Sequence, residues 1–131
     1  MIALLDTSAM LPFLDSGDQD HDRAVDVWRE VDDHGGGLVT HNYVVLEATA
    51  LVQRRLGMEA VRDLHEKVLA SVAIVWVTAH VHERAVAALL DSPRGLSLVD
   101  LVSFAVMREH KIRNAFAFDG DFVAHGFTLV P

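Results

Sequence analysis

The 131-residue chain contains no cysteine. Disulfides and thiolate metal sites are therefore excluded, and any metal must be held by oxygen or imidazole. Basic residues are scarce: eleven Lys and Arg stand against nineteen Asp and Glu, a formal charge of -8. That balance argues against non-specific nucleic-acid binding through a broadly basic surface, so a nucleic-acid substrate needs a local basic rim or bound cations. Long apolar runs are missing too. The opening MIALLD has only four apolar residues after Met1 and no basic flank, which is too short for a signal peptide or a membrane span. A soluble, cytoplasmic protein is expected. No repeat, low-complexity tract or linker is present, and the length suits a single domain over residues 1–131. What the chain does have is apolar content: 51% hydrophobic residues and a mean hydropathy of +0.26 leave apolar surface for a partner. Oligomerisation is expected.

Apolar runs of strand length alternate with segments of helical period, the pattern of an α/β sandwich around a mainly parallel sheet. Strands are expected at 2–5, 38–40, 72–77, 115–118 and 127–130, and helices at about 8–14, 21–33, 42–56, 58–70, 79–91 and from 98 onward. Pro12 is placed in the first turn of its helix, where it is tolerated. The GGG at 35–37 leads into a strand instead of a helix start and reads as a plain turn, and SPRG at 92–95 reads as a loop. The β-branched VAIVWV reads as a buried strand, with Trp76 as core. His80, His82 and Glu83 lack a third distant ligand and read as surface residues.

Two strands finish in an aspartate, Asp6 and Asp119, and ligands of parallel sheets bind beyond the carboxyl ends of the strands. Right-handed crossovers bring helix starts to the same edge. In SLVDLVSFAVM (97–107) Asp100 sits near the start of a helix that is apolar almost all round. It either completes a capping box with Ser97 or shares a cation with distant acids. Glu47, about a turn and a half into its helix, lies at the margin of an apolar stripe and can point inward. Asp6, Glu47, Asp100 and Asp119, with Asp121 adjacent, would repel one another without a cation. Oxygen donors of this kind suit Mg²⁺ or Mn²⁺, which support phosphodiester hydrolysis.

The chain resembles PIN-domain nucleases, and in size and layout the VapC-type toxins of toxin-antitoxin pairs. DTSAML (6–11), the acid in NYVVLEA (42–48), LSLVDLVSFAVM (96–107) and AFAFDGDF (115–122) carry the resemblance. It implies a three-layer α/β/α sandwich with an acidic Mg²⁺ or Mn²⁺ site that cuts single-stranded regions of RNA. Asp6, Glu47, Asp100 and Asp119 match the family's metal-site acids, and Ser8 matches a hydroxyl that orders the site. FDGDF offers two acids, with Asp119 as the inner one and Asp121 as a ligand through water. Ser97 stands behind Asp100. Arg54, Arg55, Arg62, Arg94, Arg108, Lys111 and Arg113 are candidates for a basic rim.

The resemblance also implies a homodimer silenced by a cognate antitoxin, whose arginine would enter the acidic cleft. A phosphotransferase of the haloacid dehalogenase type needs a second acid where Ser8 stands. A receiver domain needs its acid on a middle strand and a lysine after a later one. The remaining alternative is a catalytically silent PIN-like module that binds RNA or protein.

Overall fold

A computed structural model describes residues 1–92 and 95–130. Pro93 and Arg94 of the expected loop, Arg94 also of the candidate rim, and Pro131 lie outside the described residues. Five strands, β1 (Ile2–Leu5), β2 (Gly37–His41), β3 (Val72–Val75), β4 (Asn114–Phe116) and β5 (Thr128–Leu129), form one sheet in the order β3-β2-β1-β4-β5. Every pairing is parallel. The helices are α1 (Thr7–Leu14), α2 (His21–Asp33), α3 (Asn42–Leu56), α4 (Met58–Asp63), α5 (Ala79–Asp91), α6 (Leu98–Glu109) and α7 (Asp121–Ala124).

Strand alternation divides the core between two layers. Ala3 and Leu5 of β1 pack with α1, α2 and α3 on one face. Leu4 faces the other way and packs with Val81 and Ala85 of α5 and with Val102, Phe104 and Met107 of α6. A sheet covered on both faces explains why the central strands read as continuous apolar runs. The three-layer parallel sandwich expected from the sequence is the fold observed.

Local details differ from expectation. Helix α1 begins at Thr7, so Pro12 lies in its second turn. Proline there lacks the N–H that would meet the Ser8 carbonyl, while its own carbonyl accepts from His21 Nδ1 at 2.9 Å. The run VAIVWV is neither fully buried nor a strand throughout. Its strand stops at Val75 on the sheet's edge, where Ala73 and Ile74 are exposed, and Trp76 is 73% exposed. β-branched composition fits a pleated surface without specifying that both faces are covered. The fourth helix continues from α4 through a π-helical turn, Leu64–Val68, and a 3₁₀ turn, Leu69–Ser71. The glycine triplet is a turn, as read. A Cβ on Gly36 would lie 2.4 Å from the Met1 carbonyl oxygen, so only glycine fits that crossing.

Candidate active site

Asp6 follows β1 directly, caps α1 and is 4% exposed. Its carboxylate accepts the Ser8 hydroxyl at 2.6 Å and the Ser8 backbone N–H at 3.1 Å. Ser8 is tied in turn to the other acidic strand end, because Phe118 N–H donates to the Ser8 hydroxyl oxygen at 3.0 Å. Burial first, and the charges of Asp100 and Asp119 after it, raise the Asp6 carboxyl to about 6 against the pull of those two hydrogen bonds. The acid is thus buried within electrostatic reach of two carboxylates from distant parts of the chain.

Those carboxylates belong to a compact group. Asp100, Asp119 and Asp121 each offer an oxygen within 4.8 Å of the others. Asp119 lies beyond the end of β4, which stops at Phe116, and its Oδ1 accepts the Asp121 N–H at 3.0 Å. Asp121 is the first residue of α7, and its carboxyl is raised above the usual range, by Asp119 first, then by burial and Asp100. The chain therefore brings both acids of FDGDF into one cluster.

Asp100 completes the capping box and also lies among the acids of distant segments. Its N–H donates to the Ser97 hydroxyl at 3.1 Å and its Oδ2 accepts the Ser97 N–H at 3.2 Å, completing the capping box. The same residue contributes to the three-acid group. A carboxylate has acceptor capacity for both. Glu47 lies on α3 with its side chain exposed and is not part of the three-acid group.

Behind the acids lies a polar connection absent from the expectations. Thr40 Oγ1 donates to the Leu5 carbonyl at 2.8 Å, one residue before Asp6. His41, fully buried, accepts the Val44 N–H at Nδ1 (3.3 Å), which assigns the proton to Nε2, and Nε2–H donates to Ser103 Oγ at 2.7 Å. Burial pushes the imidazole down to about 4, so it stays neutral. His41 thus caps the helix bearing Glu47 and holds the helix bearing Asp100. The available signal was a lone Ser103 within an apolar helix and a histidine ending a strand.

The candidate basic rim does not gather here. Arg54 and Arg55 end α3, and Arg108, Lys111 and Arg113 lie where α6 returns to β4, so the crossovers carry them to the amino edge of the sheet, away from the acids. Arg62 pairs with Glu66 at 3.6 Å on its own helical segment. A groove of about 550 Å³ between α5 and α6, with Val81, Ala85, Leu101 and Ala105 among its lining, includes none of the acids either. His82 is held by Tyr43 OH at 2.6 Å, while His80 and Glu83 are exposed, as read.

This layout has known counterparts. The PIN domain family model matches residues 3–127. The chain belongs to the PIN domain family. It is 38% identical over 128 residues to the 23S rRNA-specific endonuclease VapC20 of Mycobacterium tuberculosis, covering 96% of this chain and 95% of that protein. The crystal structure of VapC20, described as a sarcin-ricin loop cleaving toxin, matches with a TM-score of 0.86 and 35% identity over 98% of this chain and 97% of that one. VapBC2 of Rickettsia felis bound to a promoter DNA fragment matches with a TM-score of 0.70 at 13% identity over 98% of this PIN chain and 97% of its own. FitAcB of Neisseria gonorrhoeae also gives 0.70, at 17% identity over 100% and 97%. These last two share the PIN fold alone.

Proposed function

We propose that the chain is a metal-dependent endoribonuclease, the toxin of a toxin-antitoxin pair, acting in the cytoplasm as one PIN domain. The observation that carries this reading is the group formed by Asp100, Asp119 and Asp121 beside the buried Asp6. An all-oxygen, carboxylate-only donor set fits Mg²⁺ or Mn²⁺. Asp100, Asp119 and Asp121 would hold the ion, with Asp6 behind them and Glu47 as the fourth outer acid from α3. When bound, the ion supplies a water of lowered pKa and positive charge against the leaving oxygen of a phosphodiester. Ser8 orients the Asp6 carboxylate, and the Ser97–Asp100 box fixes the start of α6. These side chains are present and hydrogen-bonded into one site, which speaks against a silent binding module.

Likeness to VapC20 over nearly the whole chain supports ribosomal RNA, and the sarcin-ricin loop within it, as the substrate. The partners are a second copy of the chain and an antitoxin segment, and exposed Leu46, Trp76 and Leu90 are apolar surface available to them. The test is incubation of purified 23S rRNA with the protein in Mn²⁺ or EDTA, followed by end-group analysis. Cuts that need the metal and leave a 3′-hydroxyl and a 5′-phosphate are expected. A 2′,3′-cyclic phosphate, or cutting undiminished in EDTA, would overturn the mechanism.

A further inference from the structure

A chain of charge -8 that gathers four acids at one sheet edge repels the phosphates it is to cut, and Arg54, Arg55, Arg108, Lys111 and Arg113 of the expected rim sit at the opposite edge. One cation is in the right place. Arg23, exposed in the first turn of α2, holds its guanidinium carbon 4.7 Å from the centre of the Phe118 ring. Phe118 precedes Asp119, and its backbone N–H is bonded to the serine that orients Asp6. The guanidinium is thus anchored on the ring that leads into the acidic cluster.

Its bonding state matters as much as its place. Among the described residues, Arg29 is 4.0 Å from Asp26, Arg62 3.6 Å from Glu66 and Lys67 3.2 Å from Asp63, whereas Arg23 has no carboxylate within 4.0 Å. Arg23 is therefore not held in an ion pair with a neighbouring carboxylate. A guanidinium held over an aromatic ring and exposed to solvent keeps N–H groups free, and these match a phosphate's oxygens in bidentate fashion.

We propose that Arg23 binds a backbone phosphate of the RNA strand next to the one that is cut. This rests on the ribonuclease reading above. Phosphate contacts of this type fix the strand's register and carry no sequence information. The role belongs to substrate binding and leaves the metal site untouched.

The experiment measures binding of a fluorescein-labelled RNA hairpin of sarcin-ricin loop sequence in EDTA, and its cutting in Mn²⁺, over a series of salt concentrations. Arg23→Ala is expected to raise Kd and KM about 5- to 10-fold with kcat within about twofold, and to flatten the log–log salt slope by about 0.7, the value for one single-strand phosphate contact. Arg23→Lys is expected to keep the slope, since the charge remains, and to recover affinity only in part, since the planar fork is lost. Arg54→Ala at the far edge is expected to match the wild type. Wild-type KM and salt slope in Arg23→Ala, with the parent protein cutting normally, would overturn this role while leaving the ribonuclease intact. A parent protein that neither binds nor cuts the hairpin would overturn the ribonuclease reading and this role with it.

Discussion

Ser8 donates its hydroxyl to the carboxylate of Asp6 at 2.6 Å while accepting the Phe118 N–H, so a single side chain joins the ends of β1 and β4. Ser8→Ala removes the hydroxyl and leaves the Phe118 amide without that acceptor. The Asp6 carboxyl is expected to rise above its present value of about 6, because a bond that favours the charged form is gone. The cost at pH 7 in EDTA should be about 1.5–3 kcal/mol, the range for a hydrogen bond to a charged group. Carboxyl-carbon NMR titration reads the first effect and urea melts read the second.

Asp6 and His41 are expected to tilt the pH dependence of stability in opposite directions. Asp6 titrates near 6 when folded against 3.8 as an ordinary aspartate, so between those values the native state binds the extra proton and stability falls as pH rises. His41 titrates near 4 when folded against 6.5 normally, so the unfolded state binds the extra proton and stability rises with pH. Each tilt amounts to roughly 3 kcal/mol at about 1.4 kcal/mol per pKa unit. Metal-free wild type should therefore be nearly flat between pH 4 and 6.5. Asp6→Asn should expose a rising profile and His41→Gln a falling one in denaturant melts at stepped pH.

Asp100→Asn is expected to change the sign of its effect with metal. In EDTA the substitution removes a capping charge worth about 0.3–1 kcal/mol but also relieves repulsion from Asp119 and Asp121, so the variant should melt at or above wild type. In saturating Mn²⁺ wild type gains RT ln(1 + [L]/Kd) and the variant gains less, so the order reverses. Equal destabilisation in both conditions would reduce Asp100 to its cap.

Glu47→Gln and Asp119→Asn are expected to separate activity from stability. Glu47 is exposed, so its replacement should shift stability by no more than about 0.5 kcal/mol, and any loss of cutting will report a catalytic role. Asp119→Asn should weaken Mn²⁺ binding measured calorimetrically and bring the Asp121 carboxyl back toward its ordinary range, since Asp119 is the first cause of that shift. An unchanged Mn²⁺ affinity would remove Asp119 from the proposed metal site.

The sheet and its acids were legible because both rest on local signals: apolar runs ending in aspartate, and a serine three residues before Asp100. Placement of Asp6, Asp100 and Asp119 followed from the handedness of crossovers. What could not be read were features set by neighbours distant in sequence. Trp76 is exposed because β3 lies at an edge, and strand order is invisible in composition. The His41–Ser103 bond joins residues 62 positions apart. Nothing local marks Arg23 either, because the Phe118 ring beneath it comes from the other end of the chain.

The strand order also sets a timetable. The Asp6 N–H bonds the Phe116 carbonyl, and β1 pairs with β4 from the far end of the sequence. During synthesis the elements from β1 to α6 emerge first, carrying Asp6 with two of its three acidic neighbours still unmade. Only when residues beyond 121 leave the ribosome can β4 slot in beside β1 and bring Asp119 and Asp121 to the edge. A chain that has emerged only as far as α6 therefore lacks the acidic group, which assembles when the segment carrying Asp119 and Asp121 joins the sheet beside β1.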